Sequence, residues 1–181
     1  MRIVGGQWRG RRLASVGAGD AAAHLRPTSD RVREAIFNLL VNSQGLDLEG
    51  LAVLDAFAGT GALGFEALSR GAARVTFFDT GLKAQGLLQE NARLLDAAAT
   101  IRSADATRPG PGTPHDLVFL DPPYGKGLGE RALAALAREG WVAPGALAVL
   151  EEGAEIAVPD GWQIRDARRY GDTRVTFLAQ A

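Results

Sequence analysis

From residue 51 onward, short and almost wholly apolar runs alternate with stretches of helical periodicity, and this alternation restricts the chain more than any other feature. The runs LAVLDAF (51–57), ARVTFFD (73–79), ATIRSAD (99–105), HDLVFLD (115–121) and ALAVLEE (146–152) read as strands, and the intervals 62–70, 81–97 and 127–139 read as helices. Strands with no polar face need cover on both sides, and helices between them provide it. The pattern therefore predicts an open α/β fold with a mostly parallel sheet. After residue 152 the helical signal fades. WQIRDARRYGDTRVTFLAQ then predicts two strands joined at Gly171-Asp172, a terminal antiparallel hairpin added to the sheet. At 181 residues and 46% hydrophobic, the chain has the material for one domain with a sizeable core and a small appendage.

The appendage lies at the start. Residues 2–13, RIVGGQWRGRRL, read as a small hairpin or bent ribbon, followed by a loop of small residues over 14–25. Thr28 or Ser29 can then cap a helix with Val32, Ile36, Leu39 and Leu40 on one face and Ala35 between them, while Arg31 and Arg33 fall off that stripe. The expected division is a basic hairpin and loop over 1–24 and a main domain over 25–181. Residues 1–33 hold seven arginines against two aspartates, a net +5, whereas the rest of the chain nets −6. That asymmetry suits a phosphate-binding surface, and equally a solvated arginine-rich one. There is no cysteine, and His24 and His115 are the two histidines, so thiolate metal sites and cysteine nucleophiles are excluded and no metal is expected. No apolar run approaches the roughly 20 residues of a membrane span, and the opening lacks the apolar stretch of a signal peptide, which points to the cytoplasm.

Four of the predicted strands end in a carboxylate: Asp55, Asp79, Asp105 and Asp121. Open α/β sheets bind ligands above that edge. The first strand runs into Asp55-Ala-Phe-Ala58-Gly59-Thr-Gly61, where glycines permit a tight turn and close approach of a ligand to the backbone. Gly59, Gly61 and Gly64 would also fit a dinucleotide fingerprint, so the spacing alone leaves a nicotinamide enzyme open. The aspartate just before the glycines argues otherwise, because a negative charge there repels a pyrophosphate and attracts a cation. S-adenosylmethionine, with an amino group and a sulfonium, matches. Asp79 is placed for ribose hydroxyls, and Asp105 either for the adenine amino group or as an ordinary loop acid.

Asp121-Pro122-Pro123-Tyr124 follows the apolar run 117–120 directly. Each proline locks its own φ and restricts the preceding residue, so Asp121 and the Pro122 carbonyl are held rigidly. Such acceptors suit methyl transfer to an exocyclic amine. They draw on the N–H groups and favour a pyramidal nitrogen whose lone pair faces the methyl group, a case of positioning and electrostatic catalysis. Tyr124 offers a flat face for a base taken out of its stack, or simply covers the sheet edge. Lys126 follows between two glycines, beside phosphate or on a plain loop.

These motifs resemble the class I methyltransferases that act on base amino groups. Nearly the whole chain resembles the RsmD family of bacterial 16S rRNA guanine-N2 methyltransferases, through RIVGGQWRGRRL, LRPTSDRVREAIFNLL (25–40), VLDAFAGTGALGFEALSRGA (53–72) and LVFLDPPYGKG (117–127). The resemblance implies a Rossmann-like seven-stranded sheet with a terminal antiparallel hairpin, S-adenosylmethionine as methyl donor, and a guanine of small-subunit rRNA, free or in an assembling subunit, as acceptor. It further implies that the opening, with Arg2, Trp8, Arg9, Arg11 and Arg12, reaches the RNA. The segment Arg26-Pro27-Thr28 is implied to close over the cofactor, with Arg26 or Thr28 on its carboxylate. Asp79 stands where a glutamate is more usual. Two rival readings remain: adenine-N6 methylation of DNA, and a non-catalytic RNA-binding ribosome assembly factor.

Overall fold

The computed structural model describes residues 1–16 and 28–181. In chain order the elements are α1 (Asp30–Asn42), β1 (Ala52–Asp55), α2 (Ala62–Ser69), β2 (Arg74–Phe78), α3 (Leu82–Leu95), β3 (Ala99–Arg102), β4 (His115–Leu120), α4 (Leu128–Arg138), β5 (Val142–Glu152), β6 (Trp162–Tyr170) and β7 (Thr173–Gln180). They build one seven-stranded sheet in the order β3-β2-β1-β4-β5-β7-β6. The first five are parallel, while β7 pairs antiparallel with both β5 and β6. The expected α/β class and the antiparallel hairpin are both present.

Strand alternation divides the core into two layers. Val53, Leu117 and Phe119 face Ile36, Phe37, Phe65 and Leu88 on one side of the sheet. Leu54, Val118 and Leu120 face Leu133, Leu136 and Trp141 on the other. Because both faces are covered, β1 is buried at every position, which explains its unbroken apolar run. Of the run expected over 99–105, only Ala99–Arg102 forms β3, an edge strand with alternating exposure, and the chain leaves the sheet before Asp105.

Two differences from the sequence reading have physical causes. The strand expected at 146 begins at Val142, because His115 pairs with Val142 ahead of a register shift at the start of β4. Ser29 is the N-cap of α1, its side chain accepting from the Val32 amide, but the buried face of that helix is Arg33, Ile36, Phe37 and Leu40. Arg33, expected off the apolar stripe, is fully buried. It is kept there by pairing: its Nε lies 3.5 Å from Glu66 and its Nη2 2.8 Å from Asp30, and it also donates to the Arg2 carbonyl. Finally, of the two forms expected for the opening, hairpin or bent ribbon, the chain takes the bent ribbon. A single antiparallel bridge joins Arg2 to Arg12, and Ile3 and Leu13 sink into the core. Glu66 fastens this ribbon to α2 by accepting from the amides of Val4 (3.0 Å) and Gly5 (2.8 Å).

Among the described residues no helix is long and apolar enough to cross a membrane.

Candidate active site

The sheet order reverses between β1 and β4, which lie side by side while their onward connections run in opposite directions. A crevice at the carboxyl ends of two such strands is where open α/β sheets place ligands. A cavity of about 480 Å³ opens there, lined among others by Thr28, Asp55, Ala58, Gly59, Asp79, Asp105, Asp121 and Pro123. Its volume falls within the range of about 300–1,000 Å³ usual for small-molecule sites.

The glycine turn is shaped as its sequence demands. Gly61 caps α2 with a φ of 79°, and a side chain there would meet Leu88 and Phe65 at 2.6 Å. Local backbone amides then fix the carboxylates. Asp55 Oδ2 accepts from Gly64 N at 3.0 Å, and Asp79 accepts from Gly59 N at 2.9 Å and Gly81 N at 2.8 Å. Asp105 accepts from the amide and hydroxyl of Thr107 at 2.9 and 2.6 Å and from Arg108 at 3.4 Å, which holds its carboxyl below the usual range.

Burial pushes the Asp55 carboxyl up to about 7, and the neighbouring charges of Asp121 and Asp79 add to the effect. Four aspartates line the cavity, and among the described lining residues there is no lysine, arginine or histidine. Such a site gains from a bound cation and repels a pyrophosphate, so the residues present fit S-adenosylmethionine.

On the opposite wall, Asp121 leaves β4 and accepts from the Thr28 hydroxyl at 3.2 Å. Pro122 is buried behind the loop and Pro123 lines the cavity. Tyr124 turns away from it: its hydroxyl lies 3.1 Å from Thr173 Oγ1, and its ring lies beside Gly153. Lys126 is exposed on the same loop. Arg26 lies outside the described residues.

The arginine-bearing turn of the opening stands elsewhere, although Met1 at its start lines the cavity. Gln7 N bonds the carbonyl of Ser69, the last residue of α2, and Arg11 donates to the Leu94 carbonyl near the end of α3. Both helices start at the carboxyl edge and run to the amino edge of the sheet. The ribbon turn is therefore displaced from the cavity by roughly the 20 Å length of α3. Trp8 packs half-buried on the core, and Arg2 pairs with Asp30 at 3.5 Å while Arg9 and Arg12 are exposed.

Sequence reasoning missed four contributors. Ser15 and Val16 line the cavity. Glu152, buried at the end of β5, accepts from Gly125 N at 2.9 Å and Gly153 N at 2.7 Å. Thr173 receives Tyr124. Glu152 carried the same signal as the four aspartates, an acid closing an apolar run.

Comparison with known proteins supplies the context for this geometry. Residues 1–179 match the family described as "Conserved hypothetical protein 95". The ribosomal RNA small subunit methyltransferase D of Escherichia coli K12 is 41% identical over 166 residues, covering 88% of this chain and 78% of that protein. Its namesake from Haemophilus influenzae is 36% identical over 180 residues, covering 94% and 89%. The solved structure of the putative methyltransferase yhhF from Escherichia coli superposes with a TM-score of 0.84 at 35% identity, covering 99% of this chain and 97% of that one. The fold is therefore the Rossmann-like class I methyltransferase fold, and the chain belongs to the RsmD family.

Proposed function

We propose that this protein transfers a methyl group from S-adenosylmethionine to the exocyclic N2 amine of a guanine in 16S rRNA, presented as free RNA or within an assembling small subunit. One observation carries the reading: a single cavity brings four aspartates and the rigid Asp121-Pro122-Pro123 turn together at the carboxyl edge of the sheet, with no basic side chain among its described lining residues. The names of the relatives support ribosomal RNA as the substrate class, and the resemblance to the RsmD family supports guanine. The work is that of a cytoplasmic enzyme.

When bound, S-adenosylmethionine supplies an electrophilic methyl group on a positively charged sulfur. The protein's own residues do the rest. Asp55 would balance the cationic group of the cofactor, and Asp79, already oriented by two amides, would offer its remaining lone pairs to ribose hydroxyls. Thr28 holds one oxygen of Asp121, and that carboxylate with the Pro122 carbonyl accepts the amine N–H groups, turning the nitrogen lone pair toward the methyl group. No strong base is required, because the amine proton becomes acidic once the nitrogen is alkylated.

Incubating the protein with methyl-tritiated cofactor and, separately, deproteinised rRNA, small subunits and genomic DNA tests the reading. Label in rRNA or subunits is expected. Label confined to DNA would replace it with adenine methylation, and binding of NAD in calorimetry with no methyl transfer would replace it with a redox enzyme.

A further inference from the structure

The loop that carries Asp121 is stiff at one end and pliant at the other. Pro122 and Pro123 rigidify its start, but Gly125 and Gly127 follow with φ of 77° and 63°, in backbone conformations that side-chain-bearing residues rarely adopt. A side chain on Gly125 would meet nothing within 4 Å, so the positive φ, and not crowding, calls for glycine there. That turn aims the Gly125 amide at Glu152.

Glu152 is only 6% exposed. Burying a carboxylate is costly unless it is satisfied, and this one accepts two amide bonds on one oxygen, Oε1, from Gly125 at 2.9 Å and Gly153 at 2.7 Å. A side chain on Gly153 would meet the Tyr124 ring at 3.4 Å, and Thr173, the first residue of β7, hydrogen-bonds the Tyr124 hydroxyl. The far end of the loop is thus tied to the end of β5 and to the β6–β7 hairpin.

We propose that Glu152 is a positioning residue for methyl transfer: by holding Gly125 it fixes the exit of the Asp121 loop and, with Thr173, the direction of Tyr124. The proposal rests on the reading of this loop as the acceptor side of the site. Neither bond requires a negative charge, because a glutamine amide oxygen accepts the same two N–H groups.

The test compares Glu152→Ala and Glu152→Gln for kcat, cofactor Kd by calorimetry, Tm, and amide hydrogen exchange over residues 121–127. Glu152→Ala is expected to lower kcat by about 10- to 100-fold, the scale of an ångström-sized misplacement, with Kd changed less than about twofold and faster exchange in the loop. Glu152→Gln is expected to stay within about threefold of the parent kcat, with unchanged exchange. Should the alanine variant fail to fold, Glu152→Asp, one methylene too short to serve both amides, is expected to show the same split more weakly. Parent-like kcat and exchange in Glu152→Ala would overturn the proposal, as would a parallel loss of cofactor affinity or a glutamine variant as slow as alanine. A parent protein inactive on RNA, subunits and DNA overturns the functional reading instead, and the exchange measurement still decides the role of Glu152.

Discussion

The two walls of the cavity are built by opposite means. On the cofactor wall the contacts that fix the Asp55 and Asp79 carboxylates are short in sequence: Asp79 to Gly81 spans two residues, Asp55 to Gly64 nine, and Asp79 to Gly59 twenty. On the acceptor wall the contacts are long, with Gly125 to Glu152 spanning 27 residues, Tyr124 to Thr173 49, and Thr28 to Asp121 93. The carboxylates of the first wall are fixed within the segment from β1 to the start of α3, by amides of neighbouring turns. The second exists only once β5, the terminal hairpin and the start of α1 have converged. Binding of the methyl donor should therefore survive changes that destroy transfer, whereas changes at the glycine turn should abolish both.

The largest expected effect sharpens that contrast. Asp121→Ala should lower kcat by about 10²- to 10³-fold while leaving cofactor affinity within a few fold, as read by tritium transfer and calorimetry. Retained turnover would remove Asp121 from its role. The same variant should act on the other wall through charge alone. Because Asp121 helps to raise the Asp55 carboxyl, its loss should lower the Asp55 pKa, detectable as an acid shift in the pH dependence of cofactor binding.

Next in size is Asp55→Asn, expected to weaken cofactor binding about tenfold at pH 8 and little at pH 6. Asp55 titrates near 7 in the folded protein against 3.8 in its absence. As pH rises between those values the unfolded chain loses this proton first, so the group costs apoprotein stability progressively from about pH 4 to about pH 7, and fully above. Above pH 7 the ionised carboxylate also attracts the cation most, so affinity should climb between pH 6 and pH 8 and binding near pH 7 should release protons. Asp55→Asn should flatten that profile and stabilise the cofactor-free protein at pH 8 by on the order of a few kcal/mol, since Asn can keep the Gly64 bond. Unchanged affinity together with unchanged stability would show that Asp55 is not a cation partner.

A smaller effect concerns neither wall. Reversing Arg9, Arg11 and Arg12 to glutamate should raise KM for RNA about tenfold at moderate salt and leave cofactor binding alone. Since the ribbon turn sits at the amino edge of the sheet, kcat at saturating RNA should be nearly unchanged. A large loss of kcat would mean that the arginines of the ribbon turn act on the cavity. The smallest is Ser29→Ala, which removes the cap of α1 just beside Thr28. It should cost about 1 kcal/mol, or roughly 2–4 °C in Tm, with a modest loss of kcat through Thr28.

The same contrast explains what was legible before any coordinates. The parallel sheet, the terminal hairpin, the Ser29 cap and the glycine turn all follow from local rules of periodicity, capping and φ preference, and the structure contains each of them. Asp55, Asp79, Asp105 and Asp121 were recognisable together because each closes a strand-like run, and topology brings the ends of those runs to one edge. Arg33 was not legible, because a buried arginine depends on Glu66, 33 residues away on another helix. The direction of Tyr124 was not legible either, because Thr173 sets it from the far end of the chain. Periodicity describes the surroundings of an element only on average, whereas ion pairs and clamps across elements are individual events.

The most direct test of the account is nucleoside mass spectrometry of rRNA treated with the protein and S-adenosylmethionine, with Asp121→Ala in parallel. N2-methylguanosine is expected at one position of 16S rRNA with the parent protein and at none with the variant, although both bind the cofactor. N6-methyladenosine, methylation confined to DNA, or equal modification by the variant would contradict it.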